Sequence, residues 1–165
     1  MSVTVYVLEC LILMAAFTAI VLGAMRVNPV SFVGDYPPEI QDAYYRSQGK
    51  ERVRKKLGVL MIIKKTAAFV VFVFLFAWLA HLAGADAFAE GLLCAYGYMA
   101  VRVAFDTFVL DWLVFPNLRW ARLPGTEHMD AAYRQKWFHV KALLPMLPVF
   151  AAGGPICAGL MVWIW

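Results

Sequence analysis

The sequence is short of charge. Asp, Glu, Lys and Arg make up 16% of its 165 residues, against about 25% in an ordinary soluble domain. Serine is scarce too: Ser2, Ser31 and Ser47 are the only ones. None stands near "GTEHMD" (Gly125–Asp130), so that run is no Ser/His/Asp arrangement and a serine-nucleophile enzyme is not expected. There is no phosphate-binding glycine loop, no H-E-x-x-H and no C-x-x-C. Three cysteines, an odd number, do not make a disulfide framework. No internal repeat and no low-complexity tract is visible.

What remains is apolar. Hydrophobic residues are 63% of the chain, and the mean hydropathy is +0.70. That is a membrane composition, and the length suits a single domain over residues 1–165. Four stretches meet the roughly 20 apolar residues that a helical span needs. They are about 3–25, 66–85, 88–115 and 137–165, with the second helix expected to start earlier, near Glu51. The first stretch has no preceding positive residue and no small-x-small site after it, only "GAMRV", so it reads as a retained helix.

Basic residues set the expected topology. Nine lie in the Arg26–Lys65 region and five in the Arg119–Lys141 region, while the Gly84–Ala87 turn has none. Those two regions should face the cytoplasm, with both termini outside. The isoelectric point near 9.1 then reflects topology and gives no support for nucleic-acid binding. Arg52, Arg54, Lys55 and Lys56 should meet anionic headgroups at the inner surface, gaining about 1 kcal/mol each.

The loops carry helix punctuation. Asp35 suits a cap, Pro37 and Pro38 a first turn and Gly49 a stop, which predicts a short amphipathic helix over Pro38–Ser47. It would carry Ile40, Tyr44 and Tyr45 against the membrane surface or the bundle. In the second loop Pro124 and Gly125 predict a turn, with Thr126 as N-cap of a helix that begins at Glu127 and continues into the membrane. Asp130 and Arg134 would then be an i,i+4 pair. The phenylalanines of "FVVFVFLFAW" are expected to face lipid. Pro145, Pro148 and "GGP" (Gly153–Pro155) should break helix four. Such a break is either a packing kink or a half-helix end that binds solute.

Helix three holds the main candidate site. Arg102 falls near its middle and Asp106 one α-turn further, about 6 Å along the axis. Gly91, Ala95, Tyr98 and Val109 share their stripe, which should face the protein interior. An ionisable residue at that depth is a functional candidate by default. Arg102, Asp106 and Tyr98 are therefore the expected solute- or proton-binding residues, against a structural salt bridge. Asp111 lies about 140° from Asp106 in α geometry, facing another neighbour, with His139 or Lys141 as natural partners. Glu127, His128 and His139 could line a polar track on one face of helix four, with Gln135 between the histidines.

Cys10, Cys94 and Cys157 fall at similar depth, with Glu9, Glu90 and His81 in the same half of the membrane. A soft metal site from these residues is the less favoured reading; buried cysteine is usually a small hydrophobe. The three histidines lie at depths that do not suit a bis-histidine haem. No cofactor is expected.

"SFVGDYPPEIQDAYYRSQ", with "FDTFVLDW" and "LPGTEHMDAAYRQKWFHVK", resembles a pattern in small, uncharacterised bacterial membrane proteins of four helices. The resemblance spans roughly residues 28–141. It implies a bacterial inner-membrane protein and brings no catalytic residue with it.

The expectation is an all-α, four-span membrane protein that binds or moves a small solute or proton at helix three. One four-helix bundle is thin for alternating access, so a homo-oligomer or a partner membrane subunit is expected. The alternatives are a non-catalytic accessory subunit or scaffold and, more weakly, a lipid enzyme using Asp111, Glu127, His128 and His139.

Overall fold

The computed structural model describes residues 1–51 and 58–165. Among the described residues the fold is helical, without strands. Four helical stretches are long and apolar enough to cross a membrane: Val3–Val27, Val59–Leu82, Phe88–Asn117 and Asp130–Ile164. In chain order the α-helices are α1 (Val3–Val27), α2 (Pro38–Ser47), α3 (Val59–Leu82), α4 (Phe88–Ala104), α5 (Asp130–Tyr133), α6 (Lys136–Leu143) and α7 (Leu147–Ile164). A π-helix, Phe105–Val114, continues α4 directly.

The described residues form two compact units. Unit one comprises residues 1–14, 58–103 and 145–165; unit two comprises 15–51 and 104–144.

Unit one has an apolar core of small residues and aromatics. Val73, Phe76, Ala77, Ala80, Ala95 and Tyr98 are buried there together with all three cysteines. Gly91 lets α4 approach α7: a Cβ on it would lie 2.9 Å from the Met161 side chain and 3.3 Å from the Ala158 backbone. The inward stripe of Gly91, Ala95 and Tyr98 is thus present in α4. Phe72 and Phe74 are exposed, as a lipid-facing surface requires, but Phe76 turns inward and packs 5.6 Å from the Tyr98 ring. An all-apolar helix gives no period from which to choose its buried side.

The "GGP" run of α7 has a local explanation. Pro155 has no N–H, so the carbonyl of Ala151, four residues earlier, loses its helical donor. The Tyr96 hydroxyl donates to that carbonyl at 3.0 Å. Gly154 makes room, since a Cβ there would sit 2.5 Å from the Tyr96 ring. Helix four is broken elsewhere, by a 3-10 turn over Leu144–Met146. Pro148 falls in the first turn of α7, where a missing N–H costs nothing.

Unit two has its own core: Met25, Val33, Tyr36, Ile40, Leu123 and Tyr133 among others. The loop helix α2 has the expected bounds, and Ile40 is fully buried. Gly49, at φ +66, turns the chain after it. Asp35 does not cap α2; it closes a 3-10 turn over Pro29–Asp35, and the N-cap is Pro37, without a side-chain bond. The preceding turn uses Asn28 instead, whose Oδ1 accepts from the Val30 N–H at 3.1 Å. The second span begins at Val59, after an extended Gly58. Glu51 is not helical. Arg52, Arg54, Lys55 and Lys56, the expected headgroup contacts, lie outside the described residues.

The second loop departs most from expectation. Gly125 turns at φ +82, close against Ser47. Thr126 is not an N-cap. It is buried, its hydroxyl donates to the Leu123 carbonyl at 2.7 Å, and the Tyr133 hydroxyl is 2.6 Å away. Thr126 has one proton to give, so Tyr133 donates to it. With Thr126 used in this way no helix starts at Glu127. The chain makes the single turn α5 and then α6, so His128, Gln135 and His139 do not share one continuous helix.

Candidate functional site

The site begins in the hydrogen-bonding of helix three. Up to Ala104 the helix is α; from Phe105 to Val114 it is π, closing i→i+5 bonds. Residues five apart are then about one turn apart. Asp106 and Asp111 have that spacing. In α geometry they would diverge; here both line one cavity of about 360 Å³ in unit two. The same change of winding buries Thr107 and Leu110 and leaves Val109, expected on the inward stripe, only half-buried.

His139 comes to this cavity from α6, its Nδ1 3.1 Å from Asp111 Oδ2. Of the two partners that the sequence offers Asp111, the structure supplies His139; Lys141 is exposed and is not among the lining residues. Asp35 and Thr107 add polar atoms, and Phe17, Phe32, Phe115 and Phe138 supply apolar wall. The lining thus holds three carboxylates, one imidazole and the buried hydroxyl residues Thr107, Tyr36 and Tyr133 among aromatic rings. That is a mixture of apolar surface with a few convergent polar groups, as small-ligand sites have.

The other expected site residues lie in unit one. Arg102 lines a separate cavity of about 210 Å³ there, with Phe69, Phe72, Phe76, Met99 and Phe150. Tyr98 is fully buried and its hydroxyl donates to Glu9 Oε2 at 2.5 Å. Tyr6 stacks on the Tyr98 ring with centroids 4.8 Å apart. Glu9 Oε1 is buried and finds no partner among the described residues. Sequence reasoning passed over the Glu9–Tyr98 pair. Its signal was present, since Glu9 is the one acid in an otherwise apolar first helix.

Close to the cavity's own core, Arg122 organises the second loop. Its guanidinium lies 2.5 Å from Asp130 Oδ1, donates to the carbonyls of Glu127 and Pro116, and sits 4.9 Å over the Tyr133 ring. Asp130 therefore pairs with Arg122, not through the i,i+4 arrangement with Arg134, because α5 is a single turn. Glu127 is exposed and accepts from the Gly125 N–H at 3.0 Å. Backbone donors at Glu127 itself and at Gly125 hold its carboxyl below the ordinary range. His128 is exposed. Tyr36 is buried and donates to the Ala121 carbonyl at 2.8 Å; burial first, then Tyr133 and Asp35, push its phenol well above the ordinary value.

Cys10, Cys94 and Cys157 are free and buried in the unit-one core, and His81 stacks on Trp165 at 5.2 Å. Among the described residues no three His, Cys, Asp or Glu side chains gather as a group that could hold a metal ion.

No protein-family profile matches the chain, and neither does any curated protein or solved structure.

Proposed function

We propose that the protein binds a small solute, with its protons, in the unit-two cavity built on helix three. The observation that carries this reading is the π segment, which gives Asp106 and Asp111 one cavity, with His139 3.1 Å from Asp111. The Asp111–His139 pair is the protonatable centre: with a proton bound the imidazolium and carboxylate are neutral together, and when the proton leaves, the carboxylate's charge is left for the solute's positive end. Asp106 holds the solute's positive charge or a second proton. The aromatic walls take its apolar part. Long π segments are rare, and π turns occur often at functional sites.

In this reading the protein sits in a bacterial inner membrane, and the basic loops put both termini outside. A single small bundle is thin for transport, so the working form is an oligomer.

Protons are the probe that tests the site. Purified protein in liposomes with an entrapped pH dye should speed the decay of an imposed pH gradient. Asp106→Asn and Asp111→Asn should each slow that decay at least tenfold, while Asp86→Asn, in the turn between α3 and α4, should not. Unchanged decay in both cavity variants would sink the assignment, as would wild-type liposomes no leakier than empty ones.

A further inference from the structure

The unit-one cavity has a different chemistry from the site above. Its volume is about 210 Å³, and among its described lining residues only Arg102 is polar; the rest are Phe, Val and Met. A cation at the middle of a membrane helix costs about 2.5–3.5 kcal/mol on insertion scales.

The guanidinium brings five N–H donors in a flat fork. One carboxylate takes two of them in the best bidentate geometry. A partner within the protein therefore leaves donors for a second, planar, anionic acceptor. Around that acceptor the cavity offers only apolar wall. A ligand that suits both ends has a carboxylate head and one hydrocarbon chain. The volume lies below the 300–1,000 Å³ usual for drug-sized ligands, so it suits a single chain and excludes the double chain and large head of a phospholipid.

We infer that this cavity is a fatty-acid site, in which Arg102 takes the carboxylate and Phe69, Phe72, Phe76 and Met99 take the first part of the acyl chain. The inference does not rest on the solute site of unit two.

The test uses the full chain in zwitterionic phosphatidylcholine nanodiscs, with empty nanodiscs as the partition control. Palmitate carrying ¹³C at its carboxyl carbon is titrated in, and the carboxyl resonance reports the head group. Saturable binding is expected, with palmityl alcohol at least tenfold weaker. Arg102→Met should weaken palmitate at least tenfold and leave the alcohol unchanged. Met99→Trp, which fills the cavity and keeps the arginine, should weaken both. Equal affinity for acid and alcohol in the wild type would overturn the inference even if neither variant folds. So would palmitate uptake no greater than in empty nanodiscs, undiminished binding in Arg102→Met, or displacement of palmitate by a smaller amount of phosphatidylglycerol.

Discussion

Tyr96 shows how one hydroxyl stabilises a helix that proline interrupts. The Ala151 carbonyl has lost its donor to Pro155 and finds another in Tyr96, 3.0 Å away. Where water is absent an unsatisfied carbonyl is expensive. Tyr96→Phe should therefore cost about 1–3 kcal/mol, the range for a polar group left without its partner, while Tyr96→Phe combined with Pro155→Ala should recover most of the loss. Denaturation in mild detergent would measure both. Tyr36 makes a prediction of opposite character, about pH. Its phenol is neutral in the fold and titrates above its unfolded value of 10.0. The stability it contributes is complete below pH 10 or so and fades as pH rises towards the folded value. Thermal midpoints should fall above that pH, and fall less in Tyr36→Phe. Neither tyrosine could be chosen from sequence. Tyr96 lies 55 residues from its acceptor and Tyr36 lies 85 from its own, and periodicity reports only neighbours on one helix.

At the level of elements, sequence patterning placed α2 with its bounds, put Gly91, Ala95 and Tyr98 on an inward face, and found the break in helix four at Pro145 but not at Pro148 or Gly153–Pro155, which α7 runs through. These are the products of proline, glycine and small-residue chemistry, which act locally. It misjudged helix three because winding is not written in hydrophobicity: α and π segments of the same composition look alike. The misreading had a direct effect on the site, since it sent Asp111 away from Asp106. Removing one residue from the π segment should restore α winding beyond that point. Deleting Phe108, which is exposed, should keep helical content by circular dichroism and abolish the contact between Asp111 and His139. The Nδ1 proton resonance of His139, held by Asp111 in the wild type, is the readout; its persistence after the deletion would count against the π geometry. Sequence also misjudged the second loop, where Thr126 and Asp130 each carried a plausible local role. Both were taken by more distant partners, Tyr133 and Arg122. A buried arginine donates to whatever oxygens it can reach, and local spacing does not compete with that.

For the whole molecule, composition settled the class: four helices of membrane length follow from 63% hydrophobic residues arranged in long runs. The proposed orientation can be checked by the labelling of single cysteines with an impermeant maleimide, in a chain whose own three cysteines are replaced by alanine. A cysteine at Asp86 should react from outside the cell, and one at Arg134 only after the membrane is opened; the reverse pattern would invert the topology and the direction of any transport. Light scattering of the detergent complex would read the proposed oligomer, with a monomer as the contrary result.

The two units also constrain how the gene can be cut. Unit one draws on three separate stretches of chain and unit two on two, and the four changes fall inside helix one, between residues 51 and 58, at the α-to-π junction of helix three and at the 3-10 turn of helix four. No start or stop codon can therefore release either unit alone. A truncation from either end cuts into unit one first, through 1–14 or 145–165, and a fragment that keeps all of unit two still carries 58–103 of unit one; a minimal fragment carrying only the proposed solute site or only the fatty-acid cavity would have to be assembled from pieces, not excised.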